Sequence, residues 1–163
     1  MSEEKSHQPI EGSALRAFAG SFASGIVVLT TRDTAGTAFG LTMNAVSSLC
    51  VEPPQFLACI AKTAATLGPV LESKVFALNI LAENQESISN TFASKGDDKF
   101  ANIDTHDGVL GVPLIDGALG HAEFRLVDTH ESGDHVIVIG EAVSSSVEDS
   151  APLVYFRGKY AKI

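Results

Sequence analysis

Basic side chains are scarce in this chain. Its 163 residues hold 11 Lys and Arg against 20 Asp and Glu, for a net charge of −9 and a pI of about 4.9. Contact with a nucleic-acid backbone or an anionic membrane surface needs clustered cations, so the balance argues against both. A small anionic ligand stays open, because a few local donors can hold one phosphate at any global charge. Cysteine is also scarce. Cys50 and Cys59 have no CxxC spacing and cannot frame a disulfide scaffold. Both lie in apolar stretches, which predicts reduced, buried thiols and fits a reducing compartment. No apolar run approaches the ~20 residues of a membrane span. The start, "MSEEKSHQPIEGS", is acidic and polar, unlike a signal peptide. The expectation is a cytoplasmic protein. Apolar residues make up 45% and charged residues 19%, a globular balance, and the length predicts one domain with its own core.

Several catalytic signatures are missing as well. There is no P-loop and no GxGxxG between a strand and a helix, which argues against Walker and Rossmann sites. GxSxG and HExxH are absent, and no cysteine has a local histidine partner, so hydrolase chemistry has no support. His130 with His135, or Asp104, His106 and Asp107, lack further ligands at a convincing spacing, and no metal is expected. With no nucleophile, an enzyme built on this chain would rely on a bound cofactor.

What is present reads as short strands. Residues 1–11 look like a flexible tail, followed by a single domain over 12–163. "SALRAFAGSFA" places Leu15, Phe18, Ala19 and Phe22 at helical spacing, with Ser13 as N-cap and Gly25 as stop. "IVVLTTR", "AFGLTMNAVSSLCV" and "QFLACIAK" predict consecutive strands of an antiparallel meander. "TAATLGPVLES" predicts one or two helical turns interrupted at Gly68-Pro69. "VFALNIL" is a strand, and "ENQESISNTFASK" a helix with Gln85, Ser89 and Phe92 on one face. "GDDKFANIDTHDGVLGVPLIDG" looks irregular. "ALGHAEFRLVDTHE" and "HVIVIGEAVSSSVED" are further strands, and "APLVYFRGKYAKI" a short last one. Six or seven strands, three short helices and no βαβ rhythm predict a mainly β fold, a small barrel with helical insertions.

Three places could carry chemistry. "TMNAVSS" sets short uncharged hydrogen-bonding side chains (Thr42, Asn44, Ser47, Ser48) where a strand should build core. Such a segment suits a planar heterocycle with a polar edge; a barrel rim that solvates itself would look the same. Lys62, with Thr63 and Thr66 before a turn, suits a phosphate or is an ordinary surface lysine. His135 opens a strand and shares a face with Ile137, Ile139 and Glu141; it is a pocket residue or a hydrogen-bonded histidine at a barrel mouth.

Taken in order, these stretches resemble the flavin reductase family. "FAGSFASGIVVLTTRDTAGTAFGLTMNAVSSLCVEPPQFLACIAK" is similar to its opening, "VFALNILAENQESISNTFASKGDDKF" to its middle, and "GDHVIVIGEA" with "PLVYFRGKY" to its end. The resemblance runs from about Leu15 to Tyr160. It implies a Greek-key split β-barrel and an NAD(P)H:flavin oxidoreductase, with FMN or FAD at a homodimer interface and NADH or NADPH as hydride donor. It implies a flavin-dependent monooxygenase as the partner that takes the reduced flavin, or another acceptor such as a cobalt corrinoid or a ferric chelate. By position, Gly40, Leu41, Thr42, Asn44 and Ala45 match the family's ring-contacting segment. Cys59, Ala61, Lys62 and Thr66 match the part that holds the ribityl phosphate. Phe92 and Lys95 match a motif near the flavin, and His135 the histidine of the nicotinamide pocket. Tyr155, Arg157 and Gly158 match the segment beside the pyridine nucleotide. Two positions depart from the family: Ala64 stands where a Ser is frequent, and Asn44-Ala45 replaces the commoner Asn-Ser.

Overall fold

A computed structural model describes residues 8–96 and 98–163. In it, strand β2 (Val27–Arg32) is buried on both faces, and period two separates the faces. Val27 and Leu29 point into one core cluster, while Ile26 and Val28 point into another. The first cluster fills a barrel; the second lies under helix α3 (Glu86–Ala93) and the C-terminal strands.

The barrel is a seven-stranded antiparallel sheet in the order β3-β2-β6-β9-β10-β5-β4. Its members are β3 (Ala38–Met43), β4 (Val46–Cys50), β5 (Gln55–Ala61), β6 (Val75–Ile80), β9 (Gly120–Ser132) and β10 (His135–Val147), with β2 already placed. Neighbours that are not consecutive in the chain, such as β2 with β6, are the crossovers of a Greek-key winding.

β3 and β4 are the two end strands of the sheet, yet only Asn44 and Ala45 separate them in the chain. The sheet must therefore curl until its ends meet there, leaving a slot elsewhere between them. This corrects the reading of "AFGLTMNAVSSLCV" as one strand of a meander. Its halves pair with β2 and β5 respectively, not with each other. Short side chains suit the crossing: the Asn44 amide donates to Ser24 Oγ at 3.0 Å, and the Ala45 carbonyl accepts from the Cys59 N–H at 2.9 Å.

Inside the barrel, Phe76 stacks on Phe124 at 5.2 Å. β10 can approach that pair only at Gly140, where a Cβ would lie 2.5 Å from the Phe76 ring. Glu123, 1% exposed, accepts the N–H groups of Val109 at 2.9 Å and Leu110 at 2.7 Å, which ties the 108–112 loop to β9.

Other expectations shift in detail. Helix α1 runs over Gly12–Gly20 with Glu11, not Ser13, at its N-cap, and it ends before Gly25. Its apolar spacing is real, but none of its residues is buried. Helix α2 (Leu67–Ser73) is not interrupted, because Gly68-Pro69 falls in its first turn, where a missing N–H costs nothing. Gln85, Ser89 and Phe92 do form the buried face of α3. The irregular stretch contains a small hairpin, β7 (Thr105–Asp107) with β8 (Pro113–Ile115). The chain ends in a hairpin, β11 (Val154–Phe156) with β12 (Lys159–Ala161), and β11 also pairs with β1 (Ser24–Gly25). Cys50 and Cys59 are half-buried and free, not fully buried. The expected tail falls largely on residues outside the description. Among the described residues, no helix is long and apolar enough to cross a membrane.

Candidate active site

A cavity of about 570 Å³ lies between β3, the turn after β5 and the end of α3. Residues 37–41 all line it, although side chains on a strand alternate between faces. A run of neighbours on one wall means that the strand presents its edge. β3 is an end strand, so main-chain N–H and C=O groups on that edge have no sheet partner. The opposite wall is residues 63–66. Thr66 is 3% exposed and lines the cavity.

Gly40 sets the depth of the cleft. A Cβ there would lie 2.4 Å from the ring of Phe92. Phe92 is fully buried behind it and meets Phe100 edge-on at 4.9 Å. Phe92 is therefore a support for the wall, and Phe39 and Phe100 are aromatics that line the cavity. Thr42 is also committed: its hydroxyl donates to the Ser89 carbonyl at 2.7 Å and binds β3 to α3. Lys95 and Lys99 line the far end. The Lys99 ammonium donates to the Phe92 carbonyl at 3.0 Å and lies 3.5 Å from the Gly40 carbonyl. Burial holds its pKa below the ordinary lysine value.

Of the residues expected at a flavin, Gly40, Leu41, Thr66 and Lys95 meet in this cavity. Asn44 and Ala45 line a second, apolar cavity of about 690 Å³ beside β1, whose walls include Phe22, Phe56 and Phe124. Cys59 and Ala61 lie on the outward face of β5, in register with Ile137 and His135. His135, Ile137, Ile139 and Glu141 share that outward face, alternating with buried Val136, Val138 and Gly140.

The structure does not bring Lys62 to the cavity. Its ammonium pairs with Glu131 Oε2 at 2.7 Å near the tip of the β9–β10 hairpin. That hydrogen bond and the lysine's charge hold the Glu131 carboxyl below the usual range. His135 is fixed nearby: its Nδ1 lies 2.7 Å from Asp134 Oδ1, and this bond is the main reason the Asp134 carboxyl titrates low. With Nδ1 engaged, Nε2 is left for a ligand. In the C-terminal hairpin, Tyr155 packs edge-on against Tyr160 at 5.5 Å. Arg157 and Gly158 form its turn, both with positive φ (48° and 79°), and the Arg157 N–H donates to the Gly20 carbonyl at 2.8 Å.

Sequence reasoning missed Lys99 and Phe100. The one signal available was the "KF" that follows Phe92 by about two helical turns, in a stretch with no period to read.

Residues 19–163 match the flavin reductase like domain family. The chain belongs to this family. Among its relatives is the reductase subunit HsaB of a flavin-dependent monooxygenase from Rhodococcus jostii, 34% identical over 157 residues, spanning 96% of this chain and 80% of that protein. The crystal structure of nitrilotriacetate monooxygenase component B from Mycobacterium thermoresistibile superimposes with a TM-score of 0.89 at 34% identity, covering 93% of this chain and 86% of that one. The NADH:FAD oxidoreductase SgcE6 of Streptomyces globisporus gives 0.89 at 29% identity, covering 96% and 95%. The mainly β, split-barrel architecture expected from the sequence is that of the family's solved structures.

Proposed function

We propose that this flavin reductase transfers hydride from NADH or NADPH to FMN or FAD and delivers the reduced flavin to a partner monooxygenase. The observation that carries the reading is the unpaired edge of β3 lining a cavity whose volume, about 570 Å³, suits a cofactor-sized ligand. A flavin ring is planar with a polar rim, and main-chain donors and acceptors on a rigid strand complement such a rim. Gly40 lets the ring come close to the backbone. The residues present thus fit a flavin.

In this reading, residues 37–41 hold the ring, and the 63–66 turn, with the Thr66 hydroxyl, faces the ribityl side. Bound there, a flavin would supply the two-electron acceptor for the hydride of the reduced nicotinamide. The protein's own part is to bind, orient and exclude water. His135, steadied by Asp134, would meet the nicotinamide through Nε2. Tyr155, Arg157 and Gly158 would flank the same nucleotide. The resemblance to a protein named as an NADH:FAD oxidoreductase supports NADH as donor.

We read the working unit as a homodimer. The support is α1, which buries no residue and leaves Phe18 79% exposed, together with Phe22 just past its end, 80% exposed and lining the apolar 690 Å³ cavity. Such a face needs a cover. A monomeric mass by light scattering would contradict this assembly.

His135→Ala tests the nicotinamide role. The expected result is NADH-dependent flavin reduction slowed on the order of tenfold, the worth of one hydrogen bond, with flavin affinity held within about twofold. An equal loss of both, or unchanged turnover, would remove His135 from the nucleotide site.

A further inference from the structure

Helix α3 bridges the two binding elements of the proposed reaction, and one of its residues holds both. Ser89 is 0% exposed. Its carbonyl accepts the Thr42 hydroxyl at 2.7 Å, which ties α3 to β3, the strand assigned to the flavin ring. Its own hydroxyl lies 2.8 Å from the Tyr160 hydroxyl on β12, in the hairpin assigned to the nucleotide. Tyr160 donates to the Asn90 side-chain oxygen at 2.9 Å. That bond uses the phenol's single proton, so Ser89 donates to the Tyr160 oxygen. One turn further along α3, Phe92 packs behind Gly40.

The hairpin needs such an anchor. β11 and β12 are three residues each, and the ladder from β11 to β1 covers two. Strands this short are marginal on their ladders alone. The hairpin's turn is tied to Gly20 at the end of α1, away from the flavin wall. Tyr160 lines neither cavity. Its ring meets Tyr155 edge-on at 5.5 Å and packs on the cluster under α3, so its hydroxyl is free to act as the tie to that helix.

We propose that Tyr160 is a positioning residue: its hydroxyl, held by Ser89 and Asn90, sets the reach between the nucleotide-side hairpin and the flavin-side strand, and with it the alignment for hydride transfer. The inference rests on the flavin and nucleotide assignments above. Hydride transfer is steep in donor–acceptor geometry, so a loosened hairpin slows the step while the same ligands still bind.

The alternative is a tie that serves the fold alone. Its loss would lower stability and leave the chemistry of the folded chain intact, or weaken flavin binding and turnover together. The test uses Tyr160→Phe, Ser89→Ala and the double variant. Phenylalanine keeps the contact with Tyr155; alanine leaves the Ser89 carbonyl to Thr42. Asn90→Ala, at an exposed position, removes the phenol's acceptor without opening a buried void and keeps the test readable should the other variants fail to fold. Flavin affinity is measured by fluorescence quenching with no nucleotide present. The bound flavin is then reduced anaerobically in a stopped flow, with NADH and NADPH in parallel, over a range of nucleotide concentrations.

Tyr160→Phe should keep flavin affinity within about twofold of wild type. Its maximal reduction rate should fall on the order of tenfold, the worth of one hydrogen bond. The nucleotide concentration at half-maximal rate should move less than the rate itself. Deuterium at the transferred position of the nucleotide should slow the variant at least as much as wild type, which marks the hydride step as the one affected. Ser89→Ala and Asn90→Ala should slow the same step, and the double variant should be little slower than Tyr160→Phe, because both single changes break one shared bond.

A folded Tyr160→Phe chain with the wild-type maximal rate would overturn the proposal. So would equal losses in flavin affinity and rate, or fully additive losses in the double variant. In each of those cases wild type still reduces its flavin, so the functional reading survives. A wild-type chain that binds no flavin, or whose flavin neither nucleotide reduces, would overturn that reading itself, and this inference with it.

Discussion

Gly40→Ala is expected to weaken flavin binding by on the order of tenfold or more and to destabilise the fold, because one methyl group has no room. Its Cβ would lie 2.4 and 2.5 Å from two atoms of the Phe92 ring and 3.4 Å from Phe100. Phe92 is 0% exposed and cannot swing into solvent, and Phe100 blocks it edge-on at 4.9 Å. The strand must move instead, outward into the cavity it borders. Overpacking of this kind costs about 1–3 kcal/mol. For a chain of this length that lowers Tm by about 2–12 °C. A binding edge displaced by about 1 Å loses its productive geometry. Thermal denaturation and flavin titration check both effects. Phe92→Leu in the same chain should restore part of each, since the two sites are in contact. Wild-type flavin affinity in Gly40→Ala would mean that the β3 edge is not where the ring lies.

Glu123→Ala is expected to lower stability by about 2–4 kcal/mol, the desolvation penalty of two orphaned amides, and to leave flavin affinity unchanged. The carboxylate is 1% exposed and accepts the N–H groups of Val109 and Leu110. The loop folds directly onto it: a Cβ on Gly108 would lie 2.3 Å from the carboxyl carbon. Alanine leaves both amides without a partner and opens a void. Glutamine keeps the shape but turns an NH2 toward one of the amide donors, so its cost should be intermediate. Residues 108–112 line neither cavity, so the folded variant should bind flavin normally. Urea unfolding followed by flavin titration separates the two effects. A Glu123→Ala chain as stable as wild type would show that the carboxylate does not anchor the loop.

The sequence pattern and the structure diverge for physical reasons that differ from site to site. The barrel strands were legible because β2 and β6 are short, largely apolar and β-branched runs that must be buried, and β10 alternates buried and outward residues. The bend near Asn44 was legible in its short polar residues, but the pairing of its two halves was not, because it depends on which distant strand each half finds, β2 or β5. In α1 the period correctly gave a helix, but a period cannot say whether an apolar stripe meets this chain's own core or waits for another surface. Lys62 and Thr66 looked like one site because they are close in sequence. β5 ends at Ala61, after which the Lys62 side chain goes to the β9–β10 hairpin and Thr66 to the cleft. Lys99 was invisible for the opposite reason. It follows no period and is placed only by its bonds to two carbonyls far apart in the chain.

The central claim is that the cleft along β3 holds a flavin that reduced nicotinamide can reach. The most direct test is to add FMN or FAD to the purified chain under anaerobic conditions, follow binding by the loss of flavin fluorescence, and then titrate with NADH or NADPH while recording the visible spectrum. The account predicts saturable binding and bleaching of the flavin absorbance by at least one of the two nucleotides, with excess free flavin bleached in turn as the reduced product leaves. A chain that binds no flavin, or one whose bound flavin stays oxidised with both nucleotides, would contradict it.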